Sequence, residues 1–223
     1  EKKLKKIDSA IGLDIGSTNF KNRWMFHTKR YYGFDIDEEA LRKGLEKHTS
    51  ENVIGMLGDI TKDLEKITTE SVDVVVATNT IDHVKEQNER IKAIQNLETI
   101  VAPNGTLIFD VTTKNPIAAI AQTLQSHFKD IKIIFYENPY SRTYEKIFEN
   151  NGFLGSHPIA GRRPFRLIAW CISRIEYLTY RLPSLNRQAM FICENKIGTK
   201  RNNFNLEKFT QIYPRLYSSS CDR

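Results

Sequence analysis

The chain has 223 residues, 40% of them hydrophobic, and a formal net charge of +6, so it carries enough apolar material for the buried core of one large domain. No apolar run approaches the roughly 20 residues of a membrane span, and the opening "EKKLKKIDSA" lacks the apolar block and small-residue cleavage site of a signal peptide, which leads to the expectation of a cytoplasmic globular protein. The positive charge fits a polyanionic or anionic-surface partner and equally a plain basic enzyme, while Cys171, Cys193 and Cys221 are scattered without the spacing of a zinc or redox site and read as two core residues and one in the tail.

The first apolar run, "AIGLDIG", ends in an acid and a glycine as a nucleotide-binding strand and turn do, yet Thr18 and Asn19 stand where a G-x-G-x-x-G loop begins its second and third glycines. Those glycines let a backbone approach a pyrophosphate, so either the loop is inert or its ligand carries no phosphate there. A second strand, "RYYGFDID", leads into "DEEALRKGLEKH", whose leading acids and trailing bases suit the two ends of a helix. "NVIGMLGD" and "VDVVVATN" follow as strands, the latter apolar without alternation, as in a parallel sheet covered on both faces. Ile91, Ile94, Leu97 and Val101 repeat at helical spacing, "APNGT" reads as a turn into the strand "GTLIFDV", and "AMFICENK" is a later strand. Strand and helix alternate, which predicts an α/β fold with a doubly wound, mostly parallel sheet.

Three acids sit at the carboxyl ends of the first three predicted strands: Asp14, Asp35 and Asp59. Open α/β sheets bind ligands there, although acids in such places also cap helices. Asp35 follows Asp14 by about the 20 residues expected of a carboxylate that takes both ribose hydroxyls.

The segments "GLDIGSTN", "YYGFDIDEEAL", "MLGDIT", "VDVVVATNTIDHV" and "LETIVAPNGTLIFDV" resemble, in order and spacing, the successive motifs of class I S-adenosylmethionine-dependent methyltransferases, most of all the small-molecule type labelled methyltransferase type 11, over roughly Ala10 to Val111. The resemblance implies a seven-stranded Rossmann-like sheet with helices on both faces and S-adenosylmethionine as cofactor. It implies that Asp14, Gly16, Ser17 and Asn19 hold the methionine part and that Asp35 takes the ribose. Ile36 would cover the adenine, Asp59 with Ile60 would meet its edge, and Thr78 and Asn79 would floor the methyl donor. The family usually keeps a glycine where this chain has Thr18. S-adenosylmethionine has no pyrophosphate, so the loop need only approach it closely near Gly16. Methyl transfer from a sulfonium is an in-line displacement that requires no metal, and a base helps when the acceptor is a hydroxyl. His83 stands just after the fourth strand; it is either that base or a ring packed in the first turn of a helix, with Asp82 as a cap.

"ENPY", Glu137 to Tyr140, is similar to the signature of methyltransferases acting on base amino groups, but it lies far downstream of the fourth strand and reads as a turn or lid. The methyltransferase domain is placed over residues 1–197, with 198–223 as an extension or tail ending in a frayed "YSSSCDR" and with substrate-side additions near 112–142 and 157–187. The second addition holds "PFRLIAWCISRIEYLTYRLP", a helix bracketed by Pro164 and Pro183. Leu167, Ile168, Cys171, Ile172, Ile175, Leu178 and Leu182 form its apolar, expectedly buried face. Arg166, Trp170, Arg174, Tyr177 and Arg181 fall opposite as candidate substrate-binding residues. Partners to expect there are a small-molecule, glycan or lipid-linked acceptor, peripheral contact with an anionic membrane surface, or another subunit. RNA methylation and a catalytically silent binding domain are the competing functions.

Overall fold

The computed structural model describes residues 9–49, 52–148, 163–198, 200–205 and 212–213. The chain divides into two compact units, one of residues 1–110, 120–131 and 192–223, the other of 111–119 and 132–191.

In the first unit an apolar strand β1 (Ser9–Ile15) pairs in parallel with β2 (Thr28–Asp35) on one side and β4 (Val72–Ala77) on the other, and β2 pairs in parallel with β3 (Val53–Leu57). Between β2 and β3 runs α1 (Glu38–Lys47), capped by Asp37, whose side chain accepts from the Ala40 N–H at 3.0 Å. Helix α2 (Gln87–Ile100) leads into β5 (Val101–Thr112), parallel to β4. With α3 (Ile117–Gln125), β6 (Phe128–Tyr136), β7 (Gln188–Lys196) and β8 (Ile212–Tyr213), the sheet has the order β6-β7-β5-β4-β1-β2-β3-β8. β6 and β7 enter this unit through residues 128–131 and 192–196. The expected doubly wound sheet is therefore present, extended by a two-residue eighth strand that runs antiparallel to β3. The strand order reverses between β4 and β1, and that reversal opens a crevice beyond their carboxyl ends.

Several local expectations change. "APNGT" is no turn before the strand: α2 stops at Ile100, Val101 already pairs with Val72, and an irregularity with Asn104 at φ 60° absorbs the extra residues before Thr106 meets Val74. Residues 112–142, expected as added material, supply the end of β5, α3 and the strand β6. Past residue 197 the chain still packs: Arg201 pairs with Asp73 at 2.7 Å, Asn202 donates to the Thr69 carbonyl at 2.9 Å, and the Phe204 ring lies 4.7 Å from that of Tyr32. Residues 217–223 lie outside the described residues.

The largest departure is the connection from β1 to β2. Parallel strands are usually joined through a helix, but residues 16–27 form turns and one short 3-10 turn, Arg23–Met25. Phe20 holds this segment. Its ring is buried, 5.5 Å from that of Tyr31, and Gly33 and Gly44 leave the space it fills, since a Cβ on either would come within 2.3 Å or 2.8 Å of the ring.

In the second unit, "ENPY" is a helix start. Asn138 accepts from the N–H groups of Tyr140 and Ser141 at 2.9 Å each, and Pro139 opens α4 (Pro139–Phe148). Helix α5 (Arg163–Thr179) is tied to α4 by Glu176, whose Oε1 accepts from the Glu137 N–H at 2.7 Å and the Ser141 hydroxyl at 2.9 Å. That bond turns the Glu176 side of α5 inward together with Ala169, Ile172 and Thr179. The apolar face expected to be buried is divided: Ile172 lies on the inward side, whereas Leu167, Ile168, Ile175 and Leu178, with Leu182 past the helix end, are exposed, as is Cys171, expected in the core.

Candidate active site

A cleft of about 710 Å³ lies in the first unit at the carboxyl ends of β1 to β4. Its lining includes Gly16, Asp35, Ile36, Asp59, Ile60, Thr78, Asn79 and His83, so eight of the residues singled out from the sequence meet around one space.

The loop after β1 is bound edge-on to β2: the N–H groups of Gly16 and Ser17 both donate to the Phe34 carbonyl, at 2.8 and 3.1 Å. Gly16 sits at φ +70°, and a Cβ there would lie 2.1 Å from the Thr80 hydroxyl, so both conformation and space demand glycine. Thr18 is also left-handed, at φ 48°, the conformation a glycine would supply more cheaply. In that conformation its N–H donates to Asp35 Oδ2 at 2.7 Å. Asp35 Oδ1 accepts from the Asp37 N–H at 2.9 Å. A carboxylate oxygen has two acceptor positions, so each keeps one for a ligand. Asp35 is thus oriented by backbone at only 8% exposure while lining the cleft.

Asp59 is organised in the same manner. Its Oδ1 accepts from the Thr61 N–H and hydroxyl, both at 2.8 Å, and Lys62 lies 3.5 Å from Oδ2. Partial burial acts to raise its carboxyl, but the Thr61 bonds and the Lys62 charge prevail and hold it below the ordinary carboxylate range. Between these acids Ile36 stands 72% exposed on the rim. On the β4 side the Asn79 N–H donates to Asp110 at 2.7 Å with Asn79 at φ 54°, and the Thr80 hydroxyl donates to the Ile15 carbonyl at 3.0 Å, which ties the ends of β4, β5 and β1 together. His83 closes the 3-10 turn Ile81–His83; its side chain is exposed along the cleft and is not packed into the core. Thr80, not Asp82, holds the cap position of that turn.

Three of the expected donor contacts fall elsewhere. Asp14 is fully buried, takes the Tyr31 hydroxyl at 2.7 Å, and does not line the cleft. Burial pushes its carboxyl up to about 7, against the opposing bonds from Tyr31 and Asn22 and the charge of Lys21. Ser17 is buried as well, and Asn19 lines a smaller hollow of about 380 Å³ beside α1. Residues that sequence reasoning passed over are Lys21, Thr80, Lys85, Glu86 and Glu89, all on the cleft wall. Thr80 adjoins the expected Thr78 and Asn79. Lys21 carries no signal in the sequence and reaches the cleft wall because residues 16–27 form turns and not a helix.

The candidate substrate residues all lie in the second unit, Arg166, Trp170, Arg174 and Tyr177 on α5 and Arg181 two residues past its end. The Arg166 side chain lies outside the described residues. Trp170, Arg174, Tyr177 and Arg181 are exposed, with the Arg174 guanidinium 5.1 Å from the centre of the Trp170 ring and Arg181 donating to the Tyr180 hydroxyl at 2.7 Å.

The cleft fits a nucleoside ligand without phosphates at the loop. Gly16 permits close approach, Asp35 offers free acceptor positions, and the segment 16–27 presents no helix N-terminus of the kind that holds a pyrophosphate. Residues 13–109 match the family model described as a methyltransferase domain. Among solved structures, the chain is similar to the N-methyltransferase NodS from Bradyrhizobium japonicum in complex with S-adenosylhomocysteine (TM-score 0.52, 14% identity, 83% of this chain and 78% of that one). It is also similar to a Haemonchus contortus phosphoethanolamine N-methyltransferase in complex with S-adenosyl-L-methionine (TM-score 0.53, 17% identity, 84% and 49%). A third is the [4+2]-cyclase SpnF (TM-score 0.51, 14% identity, 85% and 76%). No curated protein matches the chain. Identities this low establish the fold, and the fold alone hosts more than one chemistry.

Proposed function

We propose that this chain, whose residues 13–109 match a methyltransferase-domain model, is a class I methyltransferase that binds S-adenosylmethionine in the cleft of the first unit and passes its methyl group to a small-molecule, glycan or lipid-linked acceptor. The observation that carries the reading is the convergence of Gly16, Asp35, Ile36, Asp59, Ile60, Thr78 and Asn79 on one cleft at the strand-order reversal. Asp35 takes the ribose hydroxyls on its two remaining acceptor positions, and Ile36 covers one face of the adenine. Asp59 and the backbone at Ile60 meet the adenine edge, while Thr78 and Asn79 lie beneath the reacting end. Lys21 stands in for the missing helix N-terminus as the positive charge for the donor's carboxylate.

The bound donor supplies an electrophilic methyl carbon on a good leaving group. What remains for the protein is to hold nucleophile and carbon in line and to exclude water. His83 is the proposed base that accepts the proton of a hydroxyl acceptor, since its exposed ring lies along the cleft and imidazole is the side chain most often used for such a proton transfer. The test is a ligand survey by thermal unfolding. S-adenosylhomocysteine at 100 times its Kd should stabilise the protein by about 2.7 kcal/mol, whereas NAD and ADP should not. No stabilisation by S-adenosylhomocysteine, or an equal response to NAD, overturns the reading.

A further inference from the structure

Helix α5 presents a face that the described residues leave uncovered. At about 100° per residue, Leu167, Cys171, Ile175 and Leu178 line one stripe, with Leu178 75% and Leu167 61% exposed. Along one border of the stripe stand Trp170 and Tyr177, the latter 67% exposed, and with them Arg174 and Arg181. Helix α5 has a single acid, Glu176, and its carboxylate is held on the opposite side by the Glu137 N–H and the Ser141 hydroxyl. The free face is therefore apolar at its centre, aromatic and cationic at its border, and without negative charge.

We infer that α5 is an interfacial helix that lays this face on an anionic lipid bilayer. Each part has its counterpart there. Aliphatic side chains enter the acyl boundary, tryptophan and tyrosine settle at headgroup level, and arginines meet lipid phosphates. At 17 residues the helix is about 25 Å long, and no helix among the described residues is long and apolar enough to cross a membrane, so it lies in the surface plane. A second copy of the chain is a poorer occupant. A two-fold contact would bring Arg174 and Arg181 of both copies together with no acid on the face to pair them. The inference goes beyond the methyl-transfer reading and does not depend on it.

The chain contains two tryptophans, so Trp24→Phe leaves Trp170 as the single fluorescent reporter. The full-length variant is mixed with vesicles of phosphatidylcholine alone or of phosphatidylcholine with phosphatidylglycerol. The anionic vesicles should shift the emission to the blue and carry the protein down on centrifugation; the neutral ones should do so far less. Arg174→Gln with Arg181→Gln should weaken partitioning about 30-fold. Leu167→Gln with Leu178→Gln should abolish the shift at an unchanged thermal midpoint, because these side chains are already exposed. A chain that ignores anionic vesicles overturns the inference. So does a lipid-independent dimer broken by Leu178→Gln, which gives the face to a second copy. Either outcome leaves the donor-binding survey unaffected.

Discussion

Asp35 is the side chain through which the cleft can be tested most directly, because its two tasks separate. Its oxygens orient the loop by taking the N–H groups of Thr18 and Asp37, at 2.7 and 2.9 Å, and each has one acceptor position left for a ribose hydroxyl. Hydrogen bonds to a charged group contribute about 1.5–3 kcal/mol each, and neutral ones about 1 kcal/mol. Asp35→Asn keeps the shape but loses the charge and replaces one acceptor oxygen by an NH2 that cannot take a backbone N–H, so the two ribose bonds weaken by about 2 kcal/mol or more together, a rise of at least roughly 30-fold in the Kd of S-adenosylhomocysteine. Asp35→Ala removes both bonds, for about 3 kcal/mol or more and a rise of about 150-fold, and it also leaves two backbone donors unpaired. The order wild type, Asn, Ala should appear in isothermal titration calorimetry, with thermal unfolding measured in parallel. Free adenine, which has no ribose, should lose no more than about twofold for Asn. Folded Asn and Ala variants that bind S-adenosylhomocysteine within about twofold of wild type would refute the assignment. Equal losses for adenine and S-adenosylhomocysteine would mean that Asp35 only supports the loop.

Asp14 binds its proton more tightly in the folded chain, up to about 7 against 3.8 for an exposed carboxyl, so native protein holds the extra proton between those values and stability falls as pH rises through them. Asp14→Asn should remove that slope, a difference on the order of 4 kcal/mol between pH 4 and pH 8 in denaturant titrations; parallel curves for the two proteins would contradict it. His83→Ala should cut turnover of a hydroxyl acceptor by about a hundredfold with donor affinity and thermal midpoint unchanged, because the exposed ring contributes little to the core. If affinity and stability fall as far as turnover does, the ring is structural. Phe20→Ala should cost about 3–5 kcal/mol of unfolding free energy and weaken donor binding with it, since no helix holds the segment it anchors; urea titrations showing a loss below about 1 kcal/mol would place the anchor elsewhere.

What the sequence by itself determined is the frame of the cleft. Apolar stretches just ahead of Asp35, Asp59 and Thr78 mark strands and their carboxyl ends, because the buried part of a central parallel strand is apolar and stops where polar residues begin. Gly16, Asp35, Asp59 and Asn79 were legible for that reason. Tertiary structure alone decided which neighbours of those residues face the ligand. Asp14 and Ser17 stand in the same motif as Gly16, yet they turn into the core, because pleat direction and the left-handed residues at 16, 18 and 20 set side-chain direction in a way that composition does not encode. The missing helix after β1 was equally hidden: "STNFKNRWMF" is long enough for a crossover, and only the burial of Phe20 against Gly33 and Gly44, far along the chain, shows what holds it. Helix α5 reverses the usual inference from periodicity. Its apolar stripe was plain in the sequence, but periodicity identifies a face and not its partner. The inward side was chosen by one polar contact, that of Glu176 with the Glu137 N–H and Ser141, whose participants lie more than 30 residues away in the chain.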